Sequence, residues 1–358
     1  MILLFDFQKE VPMNITIKDI ARETGLSTAT ISKYLNNKQI RKENRILIEE
    51  TIRRLDYRPN RTAQILRTKK TRTIGILITD LGAYFWASLI NAITQYFVKY
   101  HYTVITCSCT FDPDREANAI QDLISQNPDG IIILPRDKED NMYQMIQDAG
   151  IPIVLVDIIP SGYEERPVDC VTSDNYNGGA LLAQHLLANG HTNVTILDNF
   201  LNSYTMDERI RGFMDIYKEQ GYDVSSFLTS NSPIPCSDTQ TLTEIGRQRF
   251  HQIIHSENRP TAFFFTNYNI GVGALSAACS LPLSVLESVS LVCFDDDPLF
   301  KVMYPPLTCI AQNLKKIGER ASELLLSRIN NDYSDFPTIA IIDVEFRERN
   351  SVKDLTKP

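Results

Sequence analysis

The sequence predicts an α/β protein with a small all-α head and a core of two doubly wound parallel sheets. From Thr73 onward, short apolar runs alternate with helical patterns, and nearly all of the runs are continuously apolar. Such runs are typical of parallel strands buried on both faces. The alternation extends over about 280 residues, which is long for one sheet, so we expect two lobes. The 358-residue chain is 43% hydrophobic and 22% charged, which is a globular composition.

Eight apolar runs predict strands, and eight amphipathic stretches predict helices. The strand runs are TIGILITD (73–80), YTVITCSCT (102–110), GIIILP (130–135), IPIVLVD (151–157), CVTSD (170–174), NVTILD (193–198), AFFFTN (262–267) and VSLVCFDD (289–296). The helical stretches are 85–99, 115–127, 138–149, 178–189, 208–220, 244–255, 271–280 and 314–330.

Several predicted strands end in an acid or an amide, at Asp80, Asp157, Asp174, Asn267 and Asp295. Ligands of doubly wound sheets bind outside the carboxyl ends of the strands, where a carboxylate can accept hydrogen bonds from sugar hydroxyls. The same residue types also cap helices. Taken singly, each of them is explained equally well by either role.

The stretch from Thr16 to Asn36 predicts two short helices joined by a tight turn. Gly25 can adopt the left-handed conformation that ends the first helix, and Ser27 is a favourable cap for the second. The inward positions are Ile17, Ile20, Ala21, Leu26, Ile31, Tyr34 and Leu35. The outward positions of the second helix, which suit a DNA major groove, are Thr28, Ala29, Ser32, Lys33 and Asn36. The alternative is an ordinary helical hairpin with a solvated polar face.

A third helix, Lys42 to Leu55, is expected to close the core of the head. Its inward residues are Ile46, Ile48, Ile52 and Leu55. Pro59 then forces the preceding residue into an extended conformation. Residues 61–67 predict a short helix with little apolar surface, which is marginal alone. A plain linker is the alternative.

Charge divides the chain into two regions. Residues 14–73 hold fifteen Lys or Arg and six acids, a net charge of +9, whereas residues 74–358 have a net charge of −16. A basic head on an acidic body suits phosphate contacts at one end only. A solvated basic surface is the alternative, and it would not predict confinement of the charge to the helical head.

The cysteines and the apolar runs indicate the compartment. The seven Cys include no CxxC pair, which argues against a disulfide framework or a zinc site and favours a reducing compartment. Cys107 and Cys109 alternate in a strand-like run and are expected to be small core residues. Residues 1–13 lack the features of a signal peptide, and no run of eighteen apolar residues occurs. We expect a cytoplasmic protein without a membrane partner.

Two patterns imitate other kinds of site. Gly271, Gly273 and Ser276 precede Asp295 roughly as in a dinucleotide fingerprint, but the third glycine is replaced, and close helix packing explains the glycines better. His251 and the histidine four residues later share a predicted helix face without a third metal ligand. Nothing suggests a nucleophile with its base. We therefore expect no catalytic residue, metal or cofactor, and no enzyme.

Ordered motifs identify a family resemblance along nearly the whole chain. TIKDIA, G-LS-x-ATIS and YLN open the head, YxPNRxAQxL spans residues 57–66, and VxxDNYNGG, HLLANGH, ERIRGF, RPTAFFFTN, VSLVCFDD and PPLT follow in order. In these motifs the chain resembles the LacI/GalR family of bacterial repressors. The resemblance implies a helix-turn-helix DNA-binding domain, a hinge helix that folds in the minor groove, and a two-lobed periplasmic-binding-protein-like core.

The resemblance also implies domain boundaries. A leader (1–13), non-conserved or disordered, precedes the DNA-binding domain (14–58), and the hinge helix and linker (59–72) lead to the core (73–350). The first lobe is expected at about 73–190 and 311–341, and the second at about 191–310 and 342–350. Residues 351–358 form the expected tail. The chain after Asp343 lacks heptads, which predicts no tetramerising coil.

The resemblance implies DNA contacts by eleven residues of the head and hinge. They are Thr16, Lys18, Thr28, Ala29, Ser32, Lys33, Asn36, Tyr57, Asn60, Ala63 and Leu66. Leu66 matches a leucine that wedges a base step open, as an exposed apolar side chain in the minor groove can do. Lys33 stands where the family usually has Arg, so the rigid two-pronged fork of a guanidinium is missing there.

Seven core residues are expected to contact an effector. They are Asp80, Phe85, Trp86, Asn177, Arg209, Asn267 and Asp295, and the resemblance favours Arg209 and Asp295 most. Ala83-Tyr84 replaces the usual Asn-Pro before the aromatic pair, and Tyr268 replaces the usual Asp after Asn267. The pocket is therefore expected to be more apolar than in a typical sugar-responsive member.

The predicted function is sequence-specific regulation of transcription, as a repressor. A homodimer is expected to bind a near-palindromic double-stranded DNA operator, and a small molecule of the sugar, sugar phosphate or nucleoside class bound between the lobes is expected to control that affinity. A protein corepressor stays open as a partner. The alternatives are a small-molecule sensor with the same core, or an enzyme that uses the crevice.

Overall fold

The computed structural model describes eight stretches of the chain: residues 15–35, 38–57, 70–82, 84–109, 112–135, 141–198, 203–228 and 239–357. The chain divides after Thr71 into two compact units, a head and a core. This division lies close to the predicted start of the core at residue 73.

Three helices pack around a small apolar core in the head. They are α1 (Ile17–Thr24), α2 (Thr28–Leu35) and α3 (Lys42–Arg54). Each helix contributes one fully buried isoleucine, namely Ile20, Ile31 and Ile48. Ile46 was expected in this core but is 48% exposed, because it lies on the outer side of α3.

The turn between α1 and α2 has the predicted chemistry. Gly25 has a φ of +67°, the left-handed conformation that a glycine adopts without strain, and α1 ends there. The Ser27 hydroxyl then accepts a hydrogen bond from the Thr30 amide at the start of α2, at 3.2 Å. The two signals together fix the direction of α2 relative to α1.

The core alternates strands and helices along the chain. In chain order its elements are β1 (Thr73–Ile78), α4 (Tyr84–Val98), β2 (Thr103–Ser108), α5 (Pro113–Ser125), β3 (Gly130–Ile133), α6 (Gln144–Asp148), β4 (Ile153–Val156), β5 (Asp169–Ser173), α7 (Asn175–Ala188), β6 (Val194–Leu197), α8 (Tyr204–Glu219), α9 (Thr239–Ile254), β7 (Ala262–Phe265), α10 (Tyr268–Ala278), α11 (Leu283–Leu286), β8 (Ser290–Phe294), α12 (Pro298–Val302), β9 (Thr308–Ala311), α13 (Leu314–Ile329), β10 (Ile339–Ile342) and β11 (Glu345–Arg347). The strands β9, β10 and β11 were not predicted from the sequence.

The first lobe is a parallel six-stranded sheet in the order β10-β5-β4-β3-β1-β2. One apolar cluster joins it to α4 and α13, and another covers it with α5 and α6. Cys109 is buried in the second cluster, and Cys107 packs against it, as predicted. The strand order reverses beside β1, and ligands of doubly wound sheets bind at such a switch point.

The second lobe is a five-stranded sheet in the order β11-β9-β8-β7-β6. Its strands are parallel except β11, which pairs with β9 in the antiparallel direction. Helices α7 and α8 pack in one apolar cluster, and α9 and α10 pack in another. The two predicted doubly wound lobes are therefore present.

The chain crosses between the lobes three times, and the first crossing differs from the prediction. It lies between β5 and α7, near residue 174, instead of near residue 190. The cause is α7, whose Leu182, Ala183 and Leu186 are buried in the core of the second lobe. The other crossings follow β9 and β10.

Residues 351–357 pack onto the second lobe, although the sequence suggested a tail outside it. Ser351 is buried, and its carbonyl accepts a hydrogen bond from the Leu291 amide at 2.9 Å. Further along, the Leu355 amide donates to the Asn189 carbonyl at 2.9 Å. Within the described residues, no helix is both long and apolar enough to cross a lipid bilayer.

Candidate effector cleft and DNA-facing surface

A cavity of about 140 Å³ lies between the two lobes of the core, at the carboxyl ends of their strands. Both lobes contribute to its wall, as does the crossing that follows β9. The described lining residues are Thr79, Phe85, Trp86, Leu134, Pro135, Asp157, Ile158, Ser203, Thr205, Met206, Arg209, Leu242, Asn267, Tyr268, Asn269, Asp295 and Gln312. Five of the seven expected effector residues are among them.

Arg209 is the most deeply buried cation of the cleft, with 1% of its surface exposed. Its Nε donates to Asn175 Oδ1 and its Nη1 to the Thr266 carbonyl, both at 2.8 Å. The guanidinium lies over the Phe294 ring, 3.8 Å from the centroid. These contacts hold its charge in one place, because a buried guanidinium is stable only when its donors are satisfied.

The position of Arg209 depends on a close crossing of α7 and α8. A Cβ on Gly179 would clash with the Arg209 carbonyl oxygen, and a Cβ on Gly212 would clash with that of Tyr176. The absence of side chains at both positions lets the helix backbones touch. Asn175 at the start of α7 therefore comes within hydrogen-bond distance of Arg209 on α8.

Asp295 follows β8 and faces Arg209 at 4.0 Å. Its Oδ2 accepts a hydrogen bond from the Tyr268 amide at 3.0 Å, and its Oδ1 accepts one from Gln312 Nε2 at 2.6 Å. Gln312 in turn accepts a hydrogen bond from the Ser173 hydroxyl at 2.6 Å. A chain of hydrogen bonds thus runs from Ser173 in the first lobe, through a crossing, to Asp295 in the second.

Asn267 lines the cavity and also caps a helix. Its Oδ1 accepts a hydrogen bond from the Ile270 amide at 3.1 Å, at the start of α10. The helix-cap role is therefore confirmed for this residue, and its place in the cavity wall leaves the effector contact a prediction.

Phe85 and Trp86 form the expected aromatic wall from the first lobe. Their rings meet edge to face, with centroids 4.7 Å apart and planes at 82°. Trp86 is 8% exposed and lines the cavity, so its emission should report on anything that enters.

Asp157 is a cavity residue that the family motifs did not single out. It follows β4 with a φ of +59°, and its Oδ1 is buried without a hydrogen-bond partner. Burial raises the pKa of Asp157 to about 7; the charge of Arg209 acts to lower it, and that of Asp295 to raise it. Its place at a strand end was the one signal in the sequence.

Asp80 and Asn177 were expected at the effector site but are not among the described residues that line the cavity. The Asp80 carboxylate accepts a hydrogen bond from the Gly82 amide at 2.8 Å, in a local turn. Asn177 lies in the first turn of α7, where its amide donates to the capping Asp174, and its side chain is exposed. The local turn accounts for the Asp80 side chain, and an effector contact by either residue stays a prediction.

The outer face of α2 is open, as the helix-turn-helix prediction requires. Thr28, Ala29 and Lys33 are exposed, and Ser32 is half-buried. Near the start of α1, Lys18 is exposed, and the Thr16 hydroxyl donates to Asp19 Oδ2 at 2.8 Å in a capping box. A helix that carries such a face can enter a major groove.

Tyr57 differs from its expected place on the DNA face. It is 7% exposed and packs in the core of the head with Ile20, Ile31 and Ile48. Its aromatic ring adds apolar surface to the core of the head, which is small. Asn36, Asn60, Ala63, Leu66 and the predicted hinge helix lie outside the described residues.

The enzyme-like patterns have structural explanations. A Cβ on Gly273 would clash with the Thr243 carbonyl oxygen, so this glycine serves close packing of α10 on α9. His251 and His255 are exposed, and the His255 Nδ1 lies 2.8 Å from the His251 carbonyl oxygen. Within the described part of the chain, no group of three or more His, Cys, Asp or Glu is placed to hold a metal ion.

Comparison with known families divides the chain in the same way. Residues 16–60 match the model described as bacterial regulatory proteins, lacI family, and residues 183–352 match a periplasmic binding protein-like domain. The HTH-type transcriptional repressor PurR of Vibrio cholerae is 30% identical over 344 residues, which cover 96% of this chain and 99% of that protein. The chain belongs to the lacI family of bacterial regulatory proteins. It is therefore a DNA-binding transcriptional regulator.

A further relative agrees with this membership, and two solved structures share the fold. A lacI-family relative, the PurR repressor of Mannheimia succiniciproducens, is 29% identical over 343 residues, covering 95% of this chain and 99% of its own. The lac repressor dimer bound to operator and the anti-inducer ONPF has the same fold, with a TM-score of 0.77, 22% identity, and coverage of 95% and 100% of the two chains. The transcriptional regulator CelR in complex with cellobiose has a TM-score of 0.68 at 20% identity, with 94% and 99% coverage.

Proposed function

We propose that this protein is a homodimeric transcriptional repressor whose affinity for operator DNA is set by a small molecule in the interlobe cavity. The observation that carries the proposal is the meeting of Arg209 and Asp295, 4.0 Å apart, in a cavity of a chain that also has an exposed recognition helix. The proposed effector belongs to the sugar, sugar phosphate or nucleoside class. The cavity acts as a binding site and not as an active site.

The proposed affinity for DNA depends first on electrostatic attraction. The head region carries a net charge of +9 on a chain of net charge −8, and Lys18 and Lys33 are exposed beside the recognition face. Lysine side chains displace counterions from DNA phosphates, which gives affinity without sequence preference. The exposed Thr28 and Ala29 at the start of α2 supply the proposed base contacts.

A second copy of the chain is the proposed partner of an exposed apolar face on the core. Val302 and Tyr304 are 80% and 79% exposed, and Leu299 and Tyr84 are about half exposed. A groove of about 780 Å³ connects the α4 side of this face, at Tyr84, with the α12 side, at Lys301. Large exposed apolar side chains of this kind mark association surfaces. The relative crystallised as a lac repressor dimer supports this reading.

Control of DNA binding follows from linkage between two arrangements of the lobes. A ligand changes operator affinity only by as much as its own affinity differs between these arrangements, and the effect is reciprocal. The Ser173–Gln312–Asp295 chain of hydrogen bonds spans a crossing, so the cavity wall and the angle between the lobes are mechanically connected.

Two measurements on the full chain test the proposal. Specific binding to a DNA fragment selected from a genomic library should weaken steeply as salt rises, because several cations displace counterions. Trp86 emission, titrated with sugars, sugar phosphates, nucleosides and purines, should saturate with one class, and its midpoint should move when the fragment is present. Salt-independent DNA binding would contradict the repressor, and an unmoved midpoint would contradict the coupling.

Lys33→Ala and Thr79→Val separate the two halves of the proposal. Lys33 is exposed on α2, so its loss should weaken DNA binding and leave the Trp86 titration unchanged. Thr79 lines the cavity, so its substitution should alter the titration and leave DNA binding without ligand unchanged.

A further inference from the structure

Two of the five histidines in the chain lie one helical turn apart at the carboxyl end of α9. His251 is in the last turn of the helix, and His255 directly follows its end. Both residues are exposed, and the centroids of their rings are 4.6 Å apart. Residues four apart on a helix face the same side, so the two imidazoles can act together on one ligand.

The spacing of the two rings suits chelation of a transition-metal ion. A metal–nitrogen bond of about 2.0–2.1 Å puts the centre of each imidazole about 3.2 Å from the ion. Two imidazoles bound at an angle of about 90–110° then have their centroids about 4.5–5.2 Å apart. The observed 4.6 Å lies in this range, so rotation of the two exposed rings brings a nitrogen of each to one ion without movement of the helix.

A hydrogen bond fixes which nitrogen of His255 is available to a metal. Its Nδ1 lies 2.8 Å from the His251 carbonyl oxygen. Because a carbonyl oxygen can only accept, Nδ1 carries the hydrogen of the neutral ring and Nε2 carries the lone pair. Metal-binding histidines commonly donate their second ring nitrogen to a carbonyl or a carboxylate in this way. His255 therefore already has the tautomer of a ligand that binds through Nε2.

The charges on this part of α9 favour a cation. The pair lies at the carboxyl end of a 16-residue helix, where the helix dipole is negative. Arg247 lies one turn before His251 on the same face, and its guanidinium donates to both carboxylate oxygens of Glu244, at 2.7 and 2.6 Å. The positive charge nearest to the pair along this face is therefore compensated by a carboxylate.

We propose that His251 and His255 bind one divalent transition-metal ion, of the group Ni²⁺, Zn²⁺ and Cu²⁺, with Nε2 of His255 as one of the two ligands. Imidazole nitrogen suits these ions, whereas Mg²⁺ and Ca²⁺ take oxygen ligands. No third His, Cys, Asp or Glu among the described residues is placed to join the pair, so water fills the other coordination positions and the ion is exchangeable. The sequence analysis expected no metal for lack of that third ligand, but two chelating imidazoles suffice for an exchangeable ion.

The proposed metal site is separate from the proposed effector cavity. The cavity lining on α9 includes Leu242, nine residues before His251. The ion is expected to stabilise the folded second lobe, because the unfolded chain does not hold the two rings at chelating distance. Failure of the effector proposal would leave this site unaffected.

Calorimetric titration of the untagged, chelator-treated full-length protein tests the site. Ni²⁺ should bind with one equivalent per chain, and Mg²⁺ at the same concentrations should not bind. Ni²⁺ should also raise the urea midpoint of unfolding, because the ion binds the folded state. Absence of Ni²⁺ binding to folded protein would overturn the proposal, and so would one ion per two chains, since the ion would then join two copies.

Variants of the two histidines locate the ion. His251→Gln and His255→Gln should each weaken Ni²⁺ binding about 100-fold, because a single imidazole loses the gain from chelation. Both positions are exposed, so circular dichroism should show an unchanged fold. In the His255→Gln background, Gln252→His adds a second exposed ring beside His251 in the sequence but on another face, and it should not restore binding. Wild-type affinity in either single variant would place the ion elsewhere.

Two other exposed groups that can bind Ni²⁺ provide controls. His101→Gln removes a histidine outside the pair, and Cys279→Ser removes an exposed thiol; neither should change the affinity. Loss of binding in Cys279→Ser would assign the ion to the thiol and overturn the proposal.

Nitrogen NMR of protein with ¹⁵N-labelled histidine identifies the bound atom. On addition of Zn²⁺, the resonance of His255 Nε2 should shift, and Nδ1 should keep its hydrogen. Coordination through Nδ1 would contradict the proposed ligand.

Discussion

Both lobes are doubly wound, but the polar side chains that line the cavity differ between them in their hydrogen bonds. In the second lobe, Arg209, Asn267 and Asp295 all have protein partners in the absence of ligand. In the first lobe, Phe85 and Trp86 supply an apolar wall, and Asp157 has a buried oxygen without a donor. The charged cluster around Arg209 in the second lobe is therefore held by protein contacts, whereas Asp157 in the first lobe and Asn269 in the second each have one buried oxygen without a donor.

The closeness of helix packing also differs between the two lobes. Gly212 brings the backbones of α8 and α7 into contact, and Gly273 does the same for α10 and α9. In the first lobe, a Cβ on Gly318 of α13 would lie 2.8 Å from the methyl carbon of Ala92 and 3.2 Å from the Leu89 carbonyl oxygen, whereas a Cβ on Gly212 would lie 1.9 Å from a carbonyl oxygen. The helix backbones of the second lobe are therefore packed more closely than those of α13 and α4, and we expect the second lobe to be the stiffer half. Four predictions follow from this contrast, in order of decreasing effect.

Arg209→Ala should have the largest effect on stability. It leaves Asp295 and Asn175 facing an empty buried space, and breaking a buried charge pair costs about 4 kcal/mol. Urea unfolding followed by circular dichroism measures this loss. Arg211→Ala on the same helix is the control, since its exposed pair with Glu208 should contribute less than about 1 kcal/mol. Equal losses would mean that Arg209 is not the centre of an organised cluster.

Gly212→Ala should destabilise the second lobe by about 3 kcal/mol, because the new Cβ would collide with a backbone carbonyl. Gly318→Ala in the first lobe should cost less, about 1 kcal/mol, because its new Cβ would lie 3.2 Å from the nearest backbone oxygen, where that of Gly212→Ala would lie 1.9 Å away. Urea midpoints of the two variants test the difference. A larger loss for Gly318→Ala would reverse the assignment of the stiffer lobe.

Asp157→Asn should stabilise the protein above neutral pH. The folded pKa of Asp157 is about 7 and the unfolded value is near 3.8, so the folded state binds the extra proton. The wild type should therefore lose stability as pH rises from about 4 to about 7, by on the order of 3 kcal/mol, and the variant should lack this loss. Unfolding midpoints between pH 4 and pH 8 give the comparison. Parallel curves for the two proteins would contradict burial of the carboxylate.

Ser173→Ala should have the smallest effect on stability. It removes the donor to Gln312 and should cost about 1 kcal/mol. Because Ser173 links the first lobe to Asp295 through Gln312, the variant should also change the affinity of the cavity for its effector, measured by Trp86 emission, severalfold. Ser125→Ala, which removes a hydroxyl that donates to the Asp122 carbonyl on the surface, should change neither quantity. If Ser173→Ala has the same effector affinity as the wild type, the hydrogen bonds through Gln312 do not determine the shape of the cavity.

Local signals in the sequence predicted the helices and strands well, but they predicted less well which of them pack together. The strands β1 to β8 coincide with the apolar runs, because continuous burial on both faces requires such runs. The helices α7 and α10 begin three residues earlier than predicted, because Asp174 and Asn267 cap them directly after the strands. Strands β10 and β11 are largely exposed, so no continuous apolar run indicates them. Strand β9 is buried, and the search for apolar runs missed it.

The sequence by itself determined the order of elements, the basic head with its turn at Gly25, and, through family motifs, the choice of Arg209 and Asp295 as residues of the interlobe cavity. These features depend on residues close in the chain or on whole motifs. Only the tertiary structure decided that α7 belongs to the second lobe, that residues 351–357 return to it, and that Tyr57 is buried. It also decided that Asp157 and Asn269, 112 positions apart, face one cavity. Such pairings arise when parallel strands and crossings bring distant segments together, and no local pattern encodes them.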